Sequence, residues 1–293
     1  MSTKITVPDM EISQSAIDWV KKTYIEKFGS DEDFDENYQL ALDLDDFKAS
    51  ENIHEKMTNY KVSADELIDV ENEYIKGESF DPKVHWILRM LATYYMHQVF
   101  HCMKVDQTDP NIAINSLGKG TPGRIVKMWM GSDPEDTSEL LSGRWNKEPA
   151  LSVFPNDGST TGGEKITYPV TKQVDVVAVC SHHFLPFSSL EPNARVKITY
   201  IPKDTLIGIS KLQRFTNWAS RRGWLQEDLC SYIGTTIKRI SGSEDVMVEM
   251  VELVHGCERY RGAAAKNGNL TTVYKSGVFK DNQPESKKTI LLD

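Results

Sequence analysis

Two apolar runs of the chain end in side chains that bind metals. Residues 174–179 are followed by Cys180 and His183, and residues 246–254 are followed closely by Cys257. Each run is rich in valine and predicts a buried strand. Because zinc prefers thiolate and imidazole ligands, the Cys-x-x-His pair and the distant cysteine predict one zinc site. Three protein ligands leave a fourth position for water, which is the arrangement of a catalytic zinc.

A plainer interpretation of the same residues stays open at this stage. Cysteine often acts as a small buried hydrophobe. A single histidine is more often a hydrogen-bonded core or surface residue than a metal ligand. Other residues between the two halves of the proposed site are therefore needed to distinguish a zinc site from ordinary core or surface residues.

Charged residues are distributed unevenly along the 293-residue chain. Residues 1–80 contain 20 acidic and 8 basic side chains, whereas residues 81–293 contain 23 acidic and 26 basic ones. The acidic end, with a charged block at residues 31–36, argues against nonspecific binding to nucleic acid. We expect residues 1–80 to be an acidic extension, partly helical or disordered, and residues 81–293 to be a separate domain.

Targeting features are absent from the sequence. No window approaches 18 uncharged apolar residues, so we expect no membrane span. The first residues lack the apolar core of a signal peptide. Four cysteines are too sparse for a disulfide framework in a chain of 293 residues, which favours a cytoplasmic protein with reduced thiols.

The hydrophobic pattern predicts the secondary structure. A first helix around residues 17–25 has Ser13 or Ser15 as its N-cap, and a weak helix is predicted at 63–75. Further helices are expected from Pro82 to Met103, in the segment 120–129, from the segment 207–214 through residue 222, and over 226–240. Strands are expected over 164–179, 195–201, 246–254 and 270–279. This order predicts an α+β fold with an antiparallel sheet.

Four separated motifs carry a family resemblance. They are Thr121-Pro122-Gly123-Arg124, Cys180-Ser181-His182-His183-Phe184-Leu185-Pro186-Phe187, Gly208-Ile209-Ser210-Lys211-Leu212-Gln213-Arg214 and His255-Gly256-Cys257-Glu258-Arg259-Tyr260-Arg261-Gly262. In order and spacing they resemble GTP cyclohydrolase I over about residues 83–282. The pair Gln226-Glu227 also matches the family, and residues 81–293 are thus expected to be its catalytic domain.

The resemblance implies a fold, an assembly and a reaction. The fold is the tunnelling fold, in which antiparallel sheets from several subunits close a barrel and helices pack outside. The implied assembly is a homodecamer with active sites at subunit interfaces, and no nucleic acid or membrane partner. The implied reaction opens the imidazole ring of GTP, releases C8 as formate and forms 7,8-dihydroneopterin triphosphate, a precursor for folate, other pterins or deazaguanines.

The resemblance also implies a role for each site residue. The zinc ligands are Cys180, His183 and Cys257, and the catalytic residues are His182, His255 and Ser210. The substrate-binding residues are Gln226, Glu227, Lys211, Arg214 and Arg261. Since one carboxylate can accept hydrogen bonds from both N1–H and the amine of guanine, Glu227 is the candidate for base recognition. Lysine and arginine suit the triphosphate.

A few positions depart from the family. Gly256 and Glu258-Arg259 differ from the apolar residues that are common around the second cysteine, and the departure with the largest consequence is at Ser181. Ser181 stands where the family usually has glutamate, which removes a carboxylate from the site. Two alternatives to a GTP cyclohydrolase therefore remain open. One is a catalytically altered purine- or pterin-binding relative. The other is a nitrile reductase of the queuosine pathway, which needs a nucleophilic cysteine and no zinc.

Overall fold

The computed structural model describes residues 11–42, 81–113, 120–133, 139–144, 146, 149–159, 162–260 and 269–280. The chain divides into two compact units. The first contains the helices up to residue 133, and the second contains the chain from Leu140 onward. Within the described ranges, no helix is long and apolar enough to cross a membrane.

The first unit contains four helices, α1 (Gln14–Phe28), α2 (Phe34–Leu42), α3 (Pro82–Cys102) and α4 (Thr121–Met130). Ser13 caps α1, because its hydroxyl accepts a hydrogen bond from the Ala16 amide at 3.3 Å. α3 has Pro82 in its first turn, and Asp81 caps it by accepting from the Lys83 amide at 2.8 Å. The predicted Ser13 cap and the predicted helix from Pro82 are therefore confirmed.

The core of the first unit joins α1 and α2 to α3. Val20, Tyr24, Phe34 and Ile87 are fully buried in one cluster. α2 lies where the sequence indicated only a charged block, because Phe34 and Ala41 supply an apolar side that the acidic residues obscure. The division of the chain at residue 80 stays a prediction, and the predicted helix at residues 63–75 lies outside the described residues.

The second unit is built on a seven-stranded sheet in the order β2–β5–β8–β4–β3–β7, with β9 beside β8. Its strands are β2 (Val170–Val174), β3 (Val177–Cys180), β4 (Pro186–Ser188), β5 (Arg195–Tyr200), β7 (Gly223–Trp224), β8 (Val246–His255) and β9 (Asn269–Lys275). A separate two-stranded sheet pairs β1 (Val153–Pro155) with β6 (Thr205–Ile207). All pairs are antiparallel except β3 and β7. The α+β class is confirmed, but the sheet is mixed.

Helices α5 (Ile209–Ser220) and α6 (Gln226–Ser241) share one core with the sheet, and a short helix, α7 (Gly256–Arg259), follows β8. Alternate residues of neighbouring strands point into this core, as the pairs Val196–Met250 and Ile198–Val248 show by their full burial. Leu229, Ile233 and Ile237 supply the buried side of α6, at the spacing that the sequence predicted.

The valine run before Cys180 is interrupted. β2 ends at Val174, and β3 begins at Val177 with different partners, so the prediction of one unbroken strand is wrong. The Asp175 amide donates to Gln213 Oε1 at 2.9 Å, and the Val176 amide donates to Ser189 Oγ at 2.9 Å. Because side chains satisfy these amides, the chain can leave one ladder and join another.

A bulge reshapes the end of β8. The pairing of β8 with β9 shifts register between Met250 and Leu253, and Glu252 has a φ of 55°. The three residues after the bulge, Leu253, Val254 and His255, are all buried. A bulge adds one residue to the strand and changes the direction in which the next side chains point. It therefore sets where His255 and the subsequent Cys257 are placed.

We expect Gly234→Ala to destabilise the second unit. A methyl group at this buried position of α6 would collide with the ring of Tyr274 on β9. Overpacking costs about 1–3 kcal/mol, which exceeds the gain of about 1 kcal/mol that alanine brings to an open helix position. Urea unfolding measures the effect. Ser231→Ala, at an exposed position of α6, is the matched control and should not destabilise; equal stability of both variants would contradict the packing.

Candidate active site

The first half of the site is the turn after β3. Cys180 is buried at the strand end, and its amide donates to the Leu185 carbonyl at 2.8 Å. The Phe184 amide donates back to the Cys180 carbonyl at 2.9 Å, with a φ of 55° at Phe184. These bonds close a tight loop that holds His182 and His183 at its exposed tip. A positive φ at an aromatic residue costs conformational energy, and such strained backbone conformations are common at functional sites.

The second half comes after β8. Antiparallel pairing places His255 opposite Phe187 of β4, and α7 then carries Cys257. Gly256 joins strand to helix, and a Cβ at this position would lie 3.0 Å from the Pro186 carbonyl oxygen. Because glycine has no Cβ, the two segments can pass this closely. The β4–β8 pairing thus brings the two motifs together.

The three predicted metal ligands converge. Cys180 Sγ and Cys257 Sγ are 4.0 Å apart, and these atoms and a ring nitrogen of His183 all lie within 4.8 Å of one another. Two sulfur ligands at about 2.3 Å from a tetrahedral zinc are separated by about 3.8 Å. The donor set and its spacing therefore fit zinc. Within the described ranges, no other group of His, Cys, Asp or Glu side chains is arranged to hold a metal.

His255 lies beside this triad in a restrained position. Its ring is 8% exposed and stacks on Phe187 with centroids 4.7 Å apart and planes 5° from parallel. Its Nε2 is 2.8 Å from Gln226 Oε1. Burial lowers the pKa of His255, and the negative charges of Glu227 and Glu258 partly oppose that shift. The ring plane of His255 is thus fixed by its contacts, and burial favours the neutral form of the imidazole.

The start of α6 brings Gln226 and Glu227 to the same region. Glu227 is exposed in the first turn, where the helix dipole stabilises a carboxylate. Gln226 is only 1% exposed, and its side chain contacts His255 and β9. Burial raises the pKa of the neighbouring Asp228, and the charge of Glu227 adds to the shift. At the start of α6, the carboxylate of Glu227 is therefore open to a ligand, whereas the amide of Gln226 is buried against the protein.

The predicted residues of α5 lie at the opposite end of the strand from the triad. Gln213 is hydrogen-bonded to Asp175, which precedes β3, whereas Cys180 ends that strand. The chain from Asp175 to Cys180 spans about 16 Å when extended. Ser210, Lys211 and Arg214 occupy the first two turns of α5, at the Asp175 end. Arg261 lies outside the described residues.

Sequence reasoning missed two contributors to the site. Phe187 belongs to the motif that begins at Cys180, and the sequence indicates no role for it, although its ring stacks against His255. Glu258 is half-buried beside Cys257, and its charge reaches His255. The position of Phe187, an apolar residue shortly after the two histidines, is the signal in the sequence that could have identified it. The departure of Glu258 from the apolar residues common around the second cysteine of the family is the signal for the second contributor.

Comparison with known proteins gives a consistent result. The model of the GTP cyclohydrolase I family matches residues 99–292, about two thirds of the chain. GTP cyclohydrolase 1 of Yersinia pseudotuberculosis serotype O:1b is 28% identical over 191 residues, which cover 64% of this chain and 76% of that protein. The enzyme of the same name from Enterobacter sp. strain 638 is 27% identical over 196 residues, 67% of this chain and 78% of its own. The enzyme of the same name from Klebsiella pneumoniae subsp. pneumoniae is 27% identical over 197 residues, which cover 67% of this chain and 78% of that protein.

Proposed function

Because the chain belongs to the GTP cyclohydrolase I family, we propose that it converts GTP to 7,8-dihydroneopterin triphosphate and formate. The observation that carries this proposal is the convergence of Cys180, His183 and Cys257 from two segments far apart in sequence. We propose that these residues hold zinc. When bound, the ion supplies Lewis-acid activation of water near neutral pH.

The histidines of the site supply the proton transfers that ring opening requires. Burial keeps His255 neutral and therefore able to take up a proton and pass it to a purine nitrogen. His182 lies at the exposed tip of the turn, with its ring centroid 6.1 Å from that of His183, and assists the attack on C8. Imidazole is the side chain suited to both tasks, since its ordinary pKa lies near neutrality.

Glu227 recognises the guanine base in this proposal. Its carboxylate is exposed in the first turn of α6, directly after Gln226 in the sequence, and its charge reaches His255. A carboxylate that accepts from N1–H and the exocyclic amine rejects bases lacking these donors, because it would then stay unpaired. Guanine bound here would place its imidazole ring beside the histidines.

A second copy of the chain completes the triphosphate site. Ser210, Lys211 and Arg214 lie at the far end of β3 from the triad of their own chain. We propose that these three residues serve the triad of a neighbouring copy, with Lys211, Arg214 and Arg261 binding the triphosphate and Ser210 acting in the ribose rearrangement. A homodecamer in which the sheets close a barrel provides such shared sites and leaves no exposed sheet edge.

Mixing two inactive variants tests the shared site. Arg214→Ala removes a phosphate ligand, and Cys257→Ser removes a metal ligand, so each homo-oligomer should be almost inactive. Unfolding and refolding them together at equal ratio should restore up to about a quarter of wild-type turnover, because random assembly makes that share of sites complete. No recovery from mixed oligomers of confirmed composition would place both residues in one chain's site.

Incubation of the zinc-loaded protein with GTP tests the function directly. Formate and, after oxidation and dephosphorylation, fluorescent neopterin should appear in equal amounts. Tight GTP binding without either product would instead support the purine-binding alternative that Ser181 leaves open. A metal-free, NADPH-dependent reduction of a deazapurine nitrile would support the reductase alternative. The cytoplasmic location and the pathway that uses the product stay predictions.

A further inference from the structure

Two side chains and one backbone carbonyl form a hydrogen-bond network beside His255 that its proposed role as proton carrier does not by itself require. Gln226 Nε2 donates to Thr272 Oγ1 at 2.9 Å and to the Leu270 carbonyl oxygen at 3.2 Å, and both of these residues belong to β9. Gln226 Oε1 lies 2.8 Å from His255 Nε2. The network thus joins the start of α6, the end of β8 and the edge strand β9.

The chemistry of the partners fixes the direction of each hydrogen bond. A carbonyl oxygen can only accept, so the atom of Gln226 that faces Leu270 must be the amide nitrogen. The amide oxygen then faces His255, and it can only accept as well. His255 Nε2 must therefore carry a hydrogen. A neutral imidazole carries one ring hydrogen, which leaves Nδ1 with a free lone pair.

Two contacts together leave His255 no other arrangement. Stacking on Phe187, with the planes 5° from parallel, fixes the plane of the ring. The bond to Gln226 fixes the rotation within that plane, because it holds Nε2 in place. Among the described residues, Nδ1 has no side-chain hydrogen-bond partner. Nδ1 is therefore the ring nitrogen that these two contacts do not engage.

We propose that Gln226 is a positioning residue that holds the ring of His255 as its Nε2–H tautomer and leaves Nδ1 as the ring nitrogen without a protein partner among the described residues. This assignment rests on the proposed function and replaces direct base binding as the role of Gln226. The same amide oxygen accepts from Nε2–H whether Nδ1 is protonated or not, so the bond persists through a catalytic cycle. Glu227, exposed next to it, is left as the carboxylate for guanine.

Gln226→Met tests the tautomer directly. Methionine has a similar length, but its thioether sulfur is only a weak acceptor for Nε2–H. In zinc-loaded, 15N-histidine-labelled protein without GTP, solid-state NMR should show only the Nε2–H form for His255 in the wild type and both tautomers in the variant. The chain contains seven histidines, and loss of the signal in His255→Asn identifies the right one. An unchanged tautomer in Gln226→Met overturns the proposal.

Kinetics separate positioning from base binding. Gln226→Met should lower kcat for GTP about 10- to 100-fold, with KM and zinc content nearly unchanged. This loss does not exceed the 10²- to 10⁴-fold that a general acid–base group contributes, because Gln226 acts only through His255. Gln226→Glu keeps an acceptor for Nε2–H and should retain the wild-type tautomer. A raised KM at unchanged kcat would assign Gln226 to the base instead. Because the NMR measurement requires no turnover, its outcome does not depend on whether the protein catalyses the proposed reaction.

Variants of β9 cover the case in which Gln226→Met fails to fold. Thr272→Val removes one acceptor behind Gln226 and should shift the His255 tautomer in the same direction, with a smaller loss of kcat. Thr171→Val is the matched control, since Thr171 lies on β2 and bonds to Thr199 Oγ1 at 2.9 Å. Equal tautomer populations in the two threonine variants would overturn the network.

Discussion

Replacing Cys257 by serine is expected to remove both zinc and GTP cyclohydrolase activity. A serine hydroxyl is not ionised at neutral pH and is a poor zinc ligand, so only Cys180 and His183 remain. Zinc content should fall from about one per chain to less than about a tenth of that, and turnover should fall by at least about 10³-fold. Elemental analysis after dialysis and the formate assay measure the two losses.

Cys102→Ser is the matched control for this substitution. Cys102 is an exposed thiol at the end of α3 and is not a member of the triad. Its variant should keep wild-type zinc and activity. Cys230 offers a second control, since burial raises the pKa of its thiol to about 11 and makes it a poor ligand. Full activity of a zinc-free Cys257→Ser protein would refute the proposed mechanism.

Replacing Glu227 by alanine is expected to lower kcat/KM for GTP without loss of zinc. In the proposed complex the carboxylate accepts two hydrogen bonds from guanine, and a bond to a charged group is worth about 1.5–3 kcal/mol. Losing both should cost about 10²- to 10⁴-fold in kcat/KM. Inosine triphosphate, which lacks the exocyclic amine, should be discriminated by the wild type and hardly at all by the variant.

The control for Glu227→Ala is Glu249→Ala. Glu249 is a half-buried carboxylate in the middle of β8, paired across the sheet with Lys197 and Val273. The Glu249→Ala variant should retain the preference for GTP over inosine triphosphate when it is compared with the wild type at equal folded fraction. Loss of zinc in Glu227→Ala, or an unchanged preference between the two nucleotides, would show that the carboxylate has another role.

Elements with a strong local signal could be predicted from the sequence. α3 and α6 carry apolar residues at helical spacing, and β8 alternates between buried and half-buried residues over most of its length. These periodicities are properties of neighbouring residues and need no knowledge of partners. The break after Val174 and the bulge at Glu252 could not be predicted in this way. Each depends on a partner strand that is distant in sequence.

The candidate site shows the same division. The sequence by itself determined which atoms could bind zinc, since thiolates and imidazoles are defined by residue type and their order matched a family. Only the tertiary structure decided that Cys180 and Cys257 meet at 4.0 Å, that Gln226 is turned toward His255, and that the start of α5 lies away from its own triad. These facts result from strand pairing and burial, which act between residues far apart along the chain and leave no local pattern.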